Sequence, residues 1–110
     1  MADEERLWIK QLDLAESMGW SVEVFENEET LIENYSPAGE DLVFYIGIGE
    51  PFSDGVRRLA SEFDPDEHVE LWIESRGKNG VPSSVRELAE DAEKIKQMLQ
   101  ELADALEKMV

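Results

Sequence analysis

An uninterrupted helical repeat of apolar residues near the C-terminal end constrains the fold more than any other feature. From Ser84 onward, apolar side chains recur three and four residues apart without a polar residue in the series: Val85, Leu88, Ala92, Ile95, Leu99, Leu102, Leu106 and Met109. This spacing predicts one long amphipathic helix over residues 84–109. Ser84 and Glu87 have the spacing of a capping box, which predicts where the helix begins.

Two arrangements of this helix are compatible with its apolar stripe. At 1.5 Å per residue it would be about 39 Å long, at least as long as the body of a compact domain of this size. It either crosses the whole domain as a core helix, or its last turns project and pack against a second copy. The second arrangement predicts a homodimer whose seam is formed by Leu99, Leu102, Leu106 and Met109.

The charge of the chain is its second unusual property. Twenty-seven acidic residues against ten basic ones give a net charge of −17, and no basic residue occurs between Lys10 and Arg57. DNA, RNA and anionic membranes require a basic surface, so the composition argues against direct binding to any of them. We expect a basic protein partner instead. The acidic surface expected to bind it consists of Glu23, Glu26, Glu28, Glu29, Glu33, Glu40 and Asp41.

The remaining periodicity predicts a single acidic α+β domain over residues 1–110. Helical spacing predicts helices over 3–18 and 53–63, and alternation predicts strands over 20–26, 30–35, 41–48 and 68–75. The expected order is α-β-β-β-α-β-α, with a three- or four-stranded, mostly antiparallel sheet and helices packed on it. A βαβ crossover would join the third and fourth strands.

Aromatic side chains are expected on the second face of this sheet. In the predicted strands Val22, Val24, Phe44, Ile46, Leu71 and Ile73 point to the core. Phe25, Tyr45 and Trp72 then point away from it and alternate with carboxylates. Aromatic rings surrounded by charge are typical of binding surfaces, so these three residues are a candidate aromatic patch. Alternatively, the first or the last helix covers them.

The stretch FDPDEH (63–68) holds the single histidine of the chain among several carboxylates. Pro65 cannot continue a helix, so the stretch is interpreted as a turn between the second helix and the fourth strand. The neighbouring carboxylates predict a raised pKa for His68. The pattern matches neither a calcium loop nor a zinc site, and no serine lies in a nucleophile motif. We therefore predict no metal site, no cofactor and no catalytic residue.

Cysteine is absent, and no apolar run approaches the roughly 18 residues that span a bilayer. The start MADEERLWIK is acidic where a signal peptide would be basic. These features favour the cytoplasm.

Three stretches, ENYSPAGEDL, FDPDEHVELWIESR and GVPSSVRELAEDAEKI, resemble an uncharacterised family of small acidic proteins carried by bacterial phages and mobile elements. The resemblance spans nearly the whole chain from about Trp20 and supplies no catalytic residues. It implies the cytoplasm of a bacterial host. It also implies a setting in which small acidic proteins inhibit restriction or CRISPR systems, frequently by imitating DNA.

These observations favour a non-enzymatic interaction protein. The first hypothesis is a DNA mimic, an anti-restriction or anti-CRISPR inhibitor of a nucleic-acid-binding defence protein. The alternative is an accessory module that binds protein through an apolar patch and dimerises through its C-terminal helix, with the acidity serving only solubility.

Overall fold

The structure is a computed structural model that describes residues 2–27, 29–74 and 84–109. These residues form the α+β fold that the sequence predicts, with a three-stranded antiparallel sheet and a long C-terminal helix. The element order is α-β-β-β-α-α-α. The elements are α1 (Ala2–Ser17), β1 (Ser21–Val24), β2 (Thr30–Tyr35), β3 (Asp41–Ile46), α2 (Phe52–Glu62), α3 (Pro65–Glu74) and α4 (Val85–Glu107).

The three strands form a meander in the order β1-β2-β3. Val22 pairs with Ile32 and Ile32 with Phe44, so these side chains lie in one row on the same face. This face packs against the helices, with Ile32 fully buried. Between β2 and β3 the chain turns at Gly39, whose φ of 94° is readily available to glycine. The alternation of apolar residues therefore decides which side of the sheet carries the core.

The long helix α4 lies inside the fold of a single chain. Ser84 caps its first turn by accepting a hydrogen bond from the Glu87 amide at 3.2 Å, as the capping spacing predicts. Leu99, Leu102 and Leu106 are 0% exposed, and Met109 packs against the same core. The sequence left open a dimer seam at these four residues or a core helix; the chain's own sheet and helices cover them, as the core arrangement requires. The helix is thus a core helix.

The largest difference from the sequence prediction is α3, which was expected to be a strand over 68–75. Asp64 caps a helix here, because its Oδ1 accepts hydrogen bonds from the amides of Asp66 at 3.0 Å and Glu67 at 3.4 Å. Pro65 occupies the first helical position, where its missing N–H costs nothing. Over the residues that the structure describes, the sheet consequently has no fourth strand and no βαβ crossover. Ser75 lies outside the described residues.

Helices α2 and α3 both pack against α4, and a lysine of α4 binds the end of α2. The Lys96 ammonium donates hydrogen bonds to the carbonyls of Ala60 at 2.9 Å and Phe63 at 2.8 Å, where α2 ends. A cation at the C-terminal end of a helix stabilises its unpaired carbonyls.

None of the described helices is long and apolar enough to cross a membrane.

Gly55 sets the distance between α2 and the sheet. A Cβ atom at this position would lie 2.5 Å from Cγ2 of Ile46, which is itself only 1% exposed and cannot move aside. Although alanine favours a helix over glycine, we expect Gly55→Ala to lower the free energy of unfolding by about 1–3 kcal/mol because it overpacks the core. Chemical denaturation measures this loss. Ser61→Ala, at an exposed site of the same helix, is the control and should change stability by less than about 0.5 kcal/mol.

Candidate functional site

The face of the sheet opposite the core carries exposed aromatic and acidic side chains around Leu31, which is 8% exposed. Residues paired across strands share a face, and the pairs Ser21–Glu33, Glu33–Val43 and Tyr35–Asp41 place their side chains on this one. Tyr35 is 69% exposed and Tyr45 is 54% exposed. We call this surface the tyrosine–carboxylate face; it consists of Glu23, Glu33, Tyr35, Asp41, Val43 and Tyr45.

Three carboxylates form a straight diagonal row across this face. Glu23 lies opposite Leu31 on β2, and Glu33 is two residues further along that strand. Glu33 lies opposite Val43 on β3, and Asp41 is again two residues away in the same direction. Diagonal neighbours of this kind are about 7–8 Å apart. Each strand thus contributes one anion at a regular interval, with Tyr45 and Tyr35 on opposite sides of the row.

The tyrosine–carboxylate face continues into the turn between β1 and β2. A surface depression of about 580 Å³ is lined by Phe25, Glu26, Asn27, Glu29 and Tyr45. The structure therefore brings together two members of the predicted aromatic patch, Phe25 and Tyr45. It places the third, Trp72, on α3 and not on the sheet. Glu28, from the predicted acidic surface, lies outside the described residues.

One arginine reaches the end of the sheet but brings little net charge with it. Arg58 Nη2 donates a hydrogen bond to the Tyr45 carbonyl at 3.3 Å. Its Nε lies 2.7 Å from Glu50 Oε2, and its Nη1 lies 3.3 Å from Glu62 Oε2. The hydrogen bond from Arg58 lowers the pKa of Glu50, so this carboxylate stays ionised and compensates the guanidinium. Among the described residues, no ion pair involves the acids of the diagonal row, and residues 11–56 contain no base.

Glu40 was expected in the acidic surface, and the structure places it elsewhere. Its side chain is only 8% exposed, and its Oε1 lies 2.9 Å from Nε2 of His68 on α3. The other oxygen, Oε2, is buried and accepts no hydrogen bond from any residue that the structure describes. Glu40 turns inward because the β2–β3 turn that carries it folds against α3 and α4. It therefore belongs to a buried polar cluster.

Asp91 of α4 is the centre of this cluster. It is 2% exposed and accepts hydrogen bonds from the Ser36 hydroxyl at 2.5 Å and the Ala38 amide at 3.0 Å. Ser36 Oγ in turn accepts a hydrogen bond from the Glu40 amide at 2.9 Å. A single carboxylate on α4 thereby holds the whole turn between β2 and β3. We call Ser36, Glu40, His68 and Asp91 the buried cluster.

The two carboxyl groups of the buried cluster have opposite pKa shifts. Burial, followed by the hydrogen bonding and charge of Asp91, raises the pKa of Glu40 from 4.5 to about 8. Burial also opposes ionisation of Asp91, but hydrogen bonds from Glu40, Ser36 and the Ala38 amide, with the charge of Lys94, hold its pKa below the ordinary value. At neutral pH Glu40 therefore carries a proton and Asp91 is ionised.

The expected rise in the pKa of His68 is wrong. Burial lowers the pKa of His68, and the charge of Asp91 only partly opposes this effect. The imidazole packs on Phe63 with ring centroids 5.4 Å apart, which removes it from water. Its nearest carboxyl group, Glu40, is protonated and contributes no negative charge. Within the described ranges, no group of three or more histidine, aspartate and glutamate side chains could hold a metal ion.

Sequence reasoning missed Asp91 and Tyr35. Asp91 lies three residues after Leu88 and four before Ile95, so helical spacing already places it on the buried side of α4. Tyr35 lies two residues after Glu33 on β2, so strand alternation places both side chains on the outer face. Both signals were present, but each required knowing which side the neighbouring elements cover.

Comparison with protein-family models, with curated proteins and with solved structures gave no match to this chain.

Proposed function

We propose that this chain is a non-enzymatic interaction protein whose tyrosine–carboxylate face binds a basic, nucleic-acid-binding protein by imitating the charge of DNA. The single observation that carries the proposal is the diagonal row of Glu23, Glu33 and Asp41, which crosses all three strands of an open sheet. Regularly spaced anions are what the basic groove of a DNA-binding protein recognises. A restriction or CRISPR effector is the proposed target class.

The rigidity of the sheet supports this role. Carboxylates on paired strands are held at fixed separations by the ladder of backbone hydrogen bonds, whereas carboxylates on a loop are not. The net charge of −17 would also steer a basic partner toward the protein and speed association at low salt.

The exposed tyrosines supply apolar contact beside the charge. Tyrosine is enriched in protein interfaces because its ring buries a large area and its hydroxyl can still form a hydrogen bond. Tyr35 and Tyr45 flank the acidic row, so a partner would cover both types of group at once. Anchoring by the rings and steering by the carboxylates are complementary contributions.

Charge reversal tests the proposal. The triple variant Glu23→Lys, Glu33→Lys, Asp41→Lys should weaken displacement of duplex DNA from the target protein by about a hundredfold or more, since three attractive contacts become repulsive. The assay is competition with labelled DNA for purified restriction and CRISPR effectors at low and at physiological salt. Wild-type competition should weaken steeply as the salt concentration rises.

A matched control separates the surface from the overall charge. Glu93→Lys, Glu101→Lys, Glu107→Lys changes the net charge equally at exposed positions of α4. This control should compete nearly as well as the wild type. Equal loss in both variants would mean that only the total charge matters, and no loss in either would exclude the face as the binding surface.

The exposure of Tyr35 and Tyr45 also favours a second candidate, an accessory module that binds protein mainly through apolar contacts. That module would use the same face, because the C-terminal helix is occupied by the core. Its binding would survive charge reversal and change little with salt. The two candidates are therefore separated by the same measurement.

A further inference from the structure

The buried cluster joins three separate parts of the fold at one carboxyl group. Glu40 lies in the β2–β3 turn, its Oε1 contacts His68 of α3, and Asp91 of α4 holds the same turn through Ser36 and Ala38. Within the described residues, no donor forms a hydrogen bond to the buried Oε2 of Glu40. A buried carboxyl oxygen that lacks a donor is stable only when the group is neutral.

We propose that a single proton on Glu40 keeps the β2–β3 turn attached to α3 and α4, and that loss of this proton releases the turn. The cluster would then act as a pH-dependent contact within the fold.

The groups that face Glu40 cannot compensate a second negative charge. From α3 it meets His68, which burial keeps neutral. From α4 it meets Asp91, which is ionised and repels it. The cavity beside Asp91 is lined by Lys94 together with Glu87 and Glu90. This single lysine therefore faces three carboxylates there and cannot also compensate an ionised Glu40. Ionised Glu40 must therefore reach water, and it can do so only if the turn moves away from α4.

The pH range of this effect follows from the direction of each shift. The pKa of Glu40 is raised, so its contribution to stability is complete below 4.5 and is lost as the pH rises to about 8. The pKa of His68 is lowered, so its contribution is complete above 6.5 and is lost only at lower pH. Between pH 6.5 and 8 the change is therefore due to Glu40.

The consequence for binding rests on the function proposed above. Tyr35 and Asp41 directly precede and follow the turn, and both belong to the tyrosine–carboxylate face. Release of the turn would loosen one end of the acidic row while leaving Glu23 in place. Binding of a basic partner would then weaken above pH 8.

Hydrogen exchange of the turn amides tests the release directly and without a partner. After correction for intrinsic exchange rates, the amides of Ala38 and Glu40 should lose protection by about tenfold or more between pH 6.5 and 8.5 in the wild type. In Glu40→Gln, which resembles the protonated side chain in size and charge, their protection should stay unchanged. Amides in the centre of β2, such as Ile32, should stay better protected than the turn amides at every pH in both proteins.

Equilibrium unfolding provides an independent measurement. The wild-type folding constant should fall about tenfold for each pH unit between 6.5 and 8 and then level off. Glu40→Gln should remove this slope, whereas Glu26→Gln, at an exposed carboxylate, should keep it. Equal slopes in wild type and Glu40→Gln, or turn amides with equal protection at both pH values, would overturn the proposal. Absence of DNA competition at every pH would refute only the proposed function, because neither measurement here depends on binding.

Discussion

Leu102→Ala should lower the free energy of unfolding by about 2–5 kcal/mol. Leu102 is 0% exposed and lies in the core cluster, where α4 packs within the chain. Truncation removes its apolar contacts and leaves a cavity that the surrounding close-packed side chains fill only partly. Chemical denaturation followed by circular dichroism measures the loss.

The same experiment distinguishes a core helix from a dimer seam. If Leu102 is buried within one chain, the unfolding midpoint of the wild type and of Leu102→Ala should not depend on protein concentration. Val85→Ala, at a 53% exposed position of the same apolar series, should change stability by less than about 1 kcal/mol. A midpoint that rises with protein concentration in the wild type, but not in Leu102→Ala, would restore the dimer.

Asp91→Ala should lower the free energy of unfolding by about 2–4 kcal/mol at pH 6.5. The substitution leaves the Ser36 hydroxyl and the Ala38 amide without their acceptor in a buried environment. Buried donors that lose their partner cost the full free energy of removing them from water. Thermal and chemical denaturation measure the difference from the wild type.

The pH dependence of this loss identifies its cause. Asp91 contributes to the raised pKa of Glu40, so without it Glu40 ionises at lower pH in the folded protein. The wild type loses stability between pH 6.5 and 8.5, and Asp91→Ala should lose less over the same range. The difference in free energy of unfolding between the two proteins should therefore become smaller as the pH rises. Asp104→Ala removes an exposed acceptor of Gln100 on the same helix and should cost no more than about 0.5 kcal/mol at either pH. A stability difference between wild type and Asp91→Ala that is constant with pH would show that the carboxyl groups of Glu40 and Asp91 do not interact.

Elements with a strong local signal were predicted well. The predicted strand over 41–48 contains β3, and α4 begins after the predicted cap at Ser84. Here apolar period, capping residues and turn glycines point to the same structure. When several local preferences agree, tertiary packing has no reason to override them.

Helix α3 shows where that reasoning failed. HVELWIES alternates like a strand, and Pro65 was interpreted only as the end of the preceding helix. The sequence Asp-Pro-Asp-Glu at 64–67 is also a typical helix start, with a capping residue, proline at the first position and acids in the first turn. In the structure Leu71 is 55% exposed and Ile73 is 47% exposed, although both were expected to face the core. A short apolar run is ambiguous between a strand and a helix, and the cap decided it.

The candidate functional site was also predicted only in part from the sequence. Residues 11–56 contain no base whatever the fold, and alternation within β1 and β3 already places Glu23, Tyr45 and Asp41 opposite the core residues. The diagonal alignment of Glu23, Glu33 and Asp41 depends on the register between strands. Register is a relation between distant segments and is not encoded in the period of any one of them.

By itself the sequence determined the acidic composition, the α+β class, the long C-terminal helix and the side of each sheet strand that faces the core, because these follow from local period and residue type. Only the tertiary structure decided that α4 is buried within one chain, that Glu40 leaves the acidic surface, and that its carboxyl group meets His68 and Asp91. Glu40 and Asp91 are both acidic residues in the sequence. The protein environment makes one a neutral acid and the other an ion, because burial and hydrogen bonds act on each carboxyl group through the elements that surround it.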